Sequence, residues 1–166
     1  AAHAAAAPQL GRSALDACEL MNIGVNYLRE HMPDSARVHY AYLDAGGVAP
    51  NVVQAKATVR QLVRAADLDA LRDLVARVHS IAEGAAMMTG TTVETKFYSG
   101  VSNLVGNRPL EEVMQHEFEK LGPVPFEADD VGLANDIRKT LTEDDITASF
   151  QRIGLETPKD LPLCDF

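Results

Sequence analysis

Hydrophobic residues recur at helical spacing in two long segments of the chain. The first segment begins at Ser13, which has an acidic residue three positions later and therefore resembles a capping box. Its apolar positions are Ala14, Leu15, Cys18, Met21, Val25 and Leu28. This spacing predicts a helix of roughly 20 residues that ends at Met32 and Pro33. The second segment predicts a helix capped by Asp67 and closed near Gly90.

Between these helices the hydrophobic period changes to two. One set of alternating residues is Val38, Tyr40 and Tyr42, and the other is Arg37, His39 and Ala41. This alternation predicts a strand with one buried side. Gly46 and Gly47 indicate a turn, and a second alternation over residues 52–64 predicts a long strand that pairs with the first as a hairpin. A further strand is predicted over residues 91–98, where Val93, Thr95 and Phe97 share a face.

The predicted order of elements is helix, strand, strand, helix, strand. With one more strand in front, this order gives a split βαβ (ferredoxin-like) fold, an α+β two-layer sandwich with two helices on one face of an antiparallel sheet. The first strand would end near His3, so most of it is expected to be missing and the sequence is expected to begin inside a domain. We assign residues 1–106 to this domain.

Residues 107–166 have a different character and predict an acidic, helical extension. Asn107 and the following Arg108-Pro109 indicate the start of a helix that ends at Gly122. The residues expected to face inward are Leu110, Val113, Met114 and Phe118. Two weaker helices are predicted near residues 128–141 and 143–152, the second opened by Thr142 with Asp145.

Composition narrows the class of function. The formal net charge is −9 and the 15 basic residues are scattered, which disfavours binding to nucleic acid. No apolar run approaches the roughly 20 residues that a membrane span needs, so no membrane role and a cytoplasmic location are expected. Cys18 and Cys164 are expected to be reduced thiols. The five histidines show no metal-ligand spacing, so the residues alone indicate a fold and little chemistry.

Three stretches together resemble a known family. They are HAAAAPQLGRSA at residues 3–14, GGVAPNVV at 46–53 and VRAAD at 63–67. They resemble the small lid or dimerisation domain of the zinc-dependent aminoacylase and carboxypeptidase-G-type exopeptidases, in which an arginine also follows an asparagine by thirteen positions, as Arg64 follows Asn51 here. The segments GRSALDACELMNIGVNYLREHMP and IAEGAAMMTGTTVETKF are most similar to the aminobenzoyl-glutamate hydrolase branch.

The resemblance implies a role for three side chains. His3 would donate a hydrogen bond to the carbonyl oxygen that becomes negative when an amide is attacked by a metal-bound water, and in dimeric relatives it reaches the partner's site. Arg64 would bind the free carboxylate of the substrate through its planar fork. Asn51 would hydrogen-bond the same end of the substrate or the oxyanion. The alternatives are a solvated histidine, a surface arginine and a plain turn asparagine.

The family's metal-ligand motifs are absent from this sequence. The resemblance therefore implies that two divalent metals, with zinc as the expected metal, belong to the parent enzyme, and that this chain holds no cofactor and cleaves nothing alone. The expected partners are a small amino-acid amide substrate and a second copy of the chain, bound through the lid domain. The alternative is a free-standing split βαβ module that binds a protein or a small ligand.

Overall fold

The computed structural model describes residues 1–152, 154 and 156. The chain forms two compact units, Ala1–Leu104 and Val105–Phe166. The first contains β1 (Ala2–His3), a short 3-10 helix (Pro8–Leu10), α1 (Ala14–Arg29), β2 (Arg37–Asp44), β3 (Val52–Val53), β4 (Thr58–Arg64) and α2 (Leu68–Thr89). The second contains α3 (Arg108–Leu121), α4 (Ala128–Arg138) and α5 (Glu143–Arg152). Cys164 lies outside the described residues, so its predicted state stays a prediction.

The helix boundaries follow the capping signals in the sequence. The Ser13 hydroxyl accepts a hydrogen bond from the Asp16 N–H at the start of α1, and the Asp67 carboxylate accepts one from the Ala70 N–H at the start of α2. Gly90 ends α2 in the left-handed conformation, with φ of 65°. α1 ends before the predicted Met32, because the N–H groups after Arg29 bond to carbonyls three residues back and tighten the last turn.

The strands form two small antiparallel sheets. β2 pairs with β4, so that Arg37 lies opposite Arg64 at one end, and β1 pairs with β3. The predicted hairpin is therefore confirmed for β2 and β4, but the prediction of one continuous strand over residues 52–64 is wrong. The strand is interrupted after Val53, where the Gln54 carbonyl instead accepts a hydrogen bond of 2.8 Å from the Ala14 N–H at the start of α1.

The core lies between the two helices and one face of the β2–β4 hairpin. Its buried members are Val25, Leu28, Ala36, Val38, Leu74 and Val78. A polar link crosses the same interface, because the buried Asn22 donates to the Tyr42 hydroxyl and accepts from the Gln61 side chain, at 3.1 and 3.2 Å. The α+β split βαβ two-layer fold is thus confirmed. The buried side predicted for the first strand is confirmed only at Val38, because Tyr40 and Tyr42 remain 38% and 39% exposed.

Two predictions about burial and pairing are wrong. Residues 91–98 form no strand, because a strand needs a backbone partner and no strand of the described residues pairs with them. The second unit contains all three predicted helices, and Asn107 caps α3 as expected by accepting from the Leu110 N–H. The apolar side of α3, however, is exposed rather than inward, with Leu110, Val113 and Phe118 each about 60% exposed.

None of the described helices is both long and apolar enough to cross a lipid bilayer.

Candidate functional site

His3 and Asn51 meet where the two shortest strands pair. His3 lies opposite Val52 in the β1–β3 register, and the Ala4 N–H donates to the Asn51 carbonyl at 2.9 Å. Both side chains, His3 and Asn51, are exposed to solvent. The antiparallel pairing therefore brings together two of the three residues that the sequence singles out.

The alanines after His3 form a turn over residues 4–7, and this turn holds the imidazole at Nδ1. The Ala5 and Ala6 N–H groups both donate to His3 Nδ1 at 3.2 Å, and the Ala7 N–H donates to the His3 carbonyl at 3.0 Å. A nitrogen that accepts two hydrogen bonds carries no hydrogen of its own, so the neutral ring carries its hydrogen on Nε2. We call residues 4–7 the alanine turn. It leaves His3 with one outward hydrogen-bond donor.

Gly11 allows the chain to cross closely over this pair of strands. A Cβ atom on Gly11 would lie 2.9 Å from Val53 Cγ1 and 3.0 Å from Ala2 Cβ, which is closer than carbon atoms pack. The Gly11 N–H also closes the short 3-10 helix by donating to the Pro8 carbonyl. His3, Pro8 and Gly11 thus belong to one small structure in which the backbone sets the position of the imidazole.

The two glycines after β2 serve the turn. Gly46 and Gly47 have φ values of 87° and 104°, in the region that residues with a side chain rarely adopt. The Gly46 N–H donates to the Asp44 carboxylate at 2.8 Å, which fixes the start of the turn.

Arg64 lies at the other end of the segment that begins with Asn51. It is the last residue of β4, it is exposed, and it stands directly opposite Arg37. No carboxylate among the described residues of the first unit lies within ion-pair distance of either arginine. The structure therefore brings His3 and Asn51 together and places Arg64 apart from them. Sequence reasoning missed Arg37, although its place in the strand alternation puts it on the same side of the sheet as Arg64.

The described residues do not offer a metal site. No group of three or more His, Cys, Asp and Glu side chains in this part of the chain is arranged to hold an ion. The two metals implied by the family resemblance therefore do not fit these residues. Burial raises the pKa of the Cys18 thiol, which disfavours the thiolate form that acts as a nucleophile.

Comparison with known proteins supports the same family. No family model matches the chain. The chain is 46% identical over 154 residues to a p-aminobenzoyl-glutamate hydrolase subunit of Escherichia coli (strain K12), a match that covers 93% of this chain and 32% of that protein. It is 32% identical to the Xaa-Arg dipeptidase of Mus musculus over 74% of the chain, and 30% identical to the Xaa-Arg dipeptidase of Homo sapiens over 80% of it.

These relatives define the class of protein to which the chain belongs. It is a member of the aminoacylase and carboxypeptidase-type hydrolase family, and it spans about a third of the length of the relatives it matches. Within that family it is similar in particular to the Escherichia coli p-aminobenzoyl-glutamate hydrolase. The family resemblance carried by the three sequence stretches is therefore confirmed.

Proposed function

We propose that this chain is the lid and dimerisation part of a longer metal-dependent amidohydrolase that cleaves an amide bond to an amino acid. The proposed substrate resembles p-aminobenzoyl-glutamate, the compound in the name of the Escherichia coli relative. The observation that carries the proposal is the exposed His3 ring, whose Nδ1 accepts from the alanine turn and which lies beside Asn51, so that Nε2 is left as the donor. The chain supplies substrate contacts and is inactive alone.

The proposed chemistry of His3 follows from the charge that develops during amide cleavage. Attack on the amide carbonyl places negative charge on its oxygen, whatever the nucleophile. A donor that is already oriented stabilises this charge more than it stabilises the neutral substrate, so its effect falls mainly on kcat. Asn51 adds an amide donor at the same end of the lid. The metals that would activate the nucleophile are expected to be bound outside the described residues.

Arg64 is proposed to bind the free α-carboxylate of the amino acid that leaves. Its guanidinium makes no ion pair within the described residues of the first unit, so its donors are open to a ligand. A planar guanidinium binds both oxygens of a carboxylate at once.

The positions of these residues favour a site shared by two protomers. β4 has seven residues and spans roughly 20 Å, which is longer than a small amide substrate. His3 and Arg64 of one protomer are therefore not expected to reach the same small substrate. We infer that His3 and Asn51 of one protomer act together with Arg64 of the partner, in a homodimer formed through the lid. The word subunit in the name of the Escherichia coli relative supports an assembly in general terms.

Hydrolysis by the longer protein and by hybrid dimers tests this proposal. The longer protein is expected to release glutamate from p-aminobenzoyl-glutamate, and the 166-residue chain is expected to release none. Mixed and reassociated His3→Ala and Arg64→Ala variants should recover about a quarter of the wild-type activity, because half of the dimers are hybrids and each hybrid has one intact site.

Two results would contradict the proposal. If the longer protein leaves this substrate and other N-acyl amino acids intact, the chain is instead a binding module. If the mixture stays as inactive as its components although sedimentation of differently tagged chains shows hybrid dimers, His3 and Arg64 do not serve one shared site.

A further inference from the structure

The side of the β2–β4 hairpin that faces away from the helices carries a concentration of positive charge. Cross-strand pairing places Arg37 opposite Arg64 and Ala41 opposite Arg60 on this side. Val38 on the opposite side is buried in the core, whereas these three arginines are exposed. We call Arg37, Arg60 and Arg64 the arginine face. It is basic although the whole chain has a net charge of −9.

The Arg37–Arg64 pair does not serve the stability of the hairpin. Like charges directly opposite each other in an antiparallel pair are destabilising, and no carboxylate among the described residues of the first unit neutralises them by an ion pair. Arg60 differs from this pair because its guanidinium lies 4.7 Å from the centre of the Tyr98 ring. An anion from outside the unit would therefore reduce the repulsion between Arg37 and Arg64.

Arg37 is oriented by its own backbone neighbourhood. Its Nη1 donates to the Ala36 carbonyl at 2.6 Å and also to the Asp34 carbonyl. These bonds hold one nitrogen of the Arg37 guanidinium, whose charge forms no ion pair with a carboxylate of the described residues. Directly opposite residues in an antiparallel pair have Cα atoms about 4.5 to 5.5 Å apart. The two arginine side chains thus start from neighbouring positions on the same side of the sheet.

A glutamyl residue carries two carboxylates that two neighbouring arginines could bind together. Its α- and side-chain carboxylates are separated by three carbon atoms, which places them roughly 5 Å apart when extended, given carbon–carbon bonds of about 1.5 Å. We propose that Arg37 is a second substrate-binding residue that holds the side-chain carboxylate, while Arg64 holds the α-carboxylate. This inference rests on the proposed function of Arg64 and makes the enzyme selective for a terminal residue with two carboxylates.

The test compares two substrates that differ in one charge. Arg37→Gln in the longer enzyme is expected to lower kcat/KM about tenfold or more for p-aminobenzoyl-glutamate and less than about twofold for p-aminobenzoyl-glutamine, which lacks the side-chain charge. Arg72→Gln is the matched control, because Arg72 is an exposed arginine on α2 with only a surface ion pair to Asp69, and it should change neither value. Calorimetric binding of glutarate, compared with its monoamide, gives a readout that does not depend on turnover, and Arg37→Gln should weaken only glutarate.

The contrary outcomes separate this inference from the proposed function. If Arg37→Gln leaves both substrates unchanged or slows them equally while Arg64→Ala impairs cleavage, the inference on Arg37 fails and the function stands. If Arg37→Gln instead dissociates the enzyme in sedimentation, Arg37 belongs to a protein interface and the inference also fails. If the wild-type enzyme cleaves neither substrate, the proposed function fails, and glutarate binding alone then decides whether the dicarboxylate site exists.

Discussion

Replacing His3 by alanine in the longer enzyme is expected to lower kcat by about 100-fold or more with little change in KM. The reason is that the Nε2–H of His3 has its strongest partner only when negative charge has developed on the carbonyl oxygen. The alanine turn already fixes the ring before substrate arrives, so no part of this stabilisation is lost to reorganisation. Steady-state kinetics with p-aminobenzoyl-glutamate provide the measurement.

A matched control separates this effect from a general loss of a histidine. His79 is exposed on α2, away from the β1–β3 pair, and His79→Ala should leave both kinetic constants close to the wild-type values. A His3→Ala enzyme that keeps kcat but has a raised KM would show that His3 binds the ground state, which contradicts the assigned role.

Replacing Arg64 by alanine should remove a charge-assisted hydrogen-bonded pair worth about 1.5 to 3 kcal/mol, which corresponds to a loss of about 10- to 150-fold in kcat/KM. Arg64→Lys should recover only part of this loss, because an ammonium cannot form the planar fork. Measuring kcat/KM of the wild-type, Arg64→Lys and Arg64→Ala enzymes on the same substrate checks this expected decrease.

A substrate whose α-carboxylate is converted to an amide supplies the decisive comparison for Arg64. It should be poor for the wild-type enzyme and lose little more with Arg64→Ala, because the interaction is already absent. Equal losses on the acid and the amide would mean that Arg64 does not bind the carboxylate and has a structural role only.

The helices and the first strand of the hairpin can be predicted from sequence because their signals are local. Ser13, Asp67 and Asn107 cap the helices that the sequence assigns to them, and Gly90 ends α2. The period-two pattern from Arg37 to Asp44 has the same bounds as β2. These signals depend on hydrogen bonds and side-chain faces within a few residues of chain, so no distant contact can overrule them easily.

The predictions that are wrong concern contacts between residues far apart in the sequence. Residues 91–98 have the alternating pattern of a strand. This pattern indicates which face is apolar, but it does not show whether a neighbouring strand is present to pair with the backbone. The break after Val53 arises because the Gln54 carbonyl bonds to Ala14, forty positions earlier in the sequence. Helix α3 has the apolar side that its periodicity predicts, and this side is exposed. Periodicity alone does not show which surface, if any, covers an apolar side.

Only part of the candidate site can be predicted from the sequence. The family motifs single out His3, Asn51 and Arg64, and the β1–β3 register explains why the first two belong together. The assignment of the imidazole hydrogen to Nε2 needs the turn geometry, since HAAAA gives no sign of which ring nitrogen accepts. The alternation assigns Arg37 to the outward side of its strand, and the strand register adds that it lies opposite Arg64.

The close crossing at Gly11 has a consequence for how this unit can diverge in evolution. Because a methyl group at Gly11 would lie 2.9 to 3.0 Å from side-chain atoms of Val53 and Ala2, any larger residue there would force the packing around β1 and His3 to shift. The arginine face consists of exposed side chains on a regular strand pair, where one residue can replace another at little cost to the fold. Single mutations on the arginine face are therefore expected to change what that face binds, while the packing around Gly11 and His3 stays unchanged.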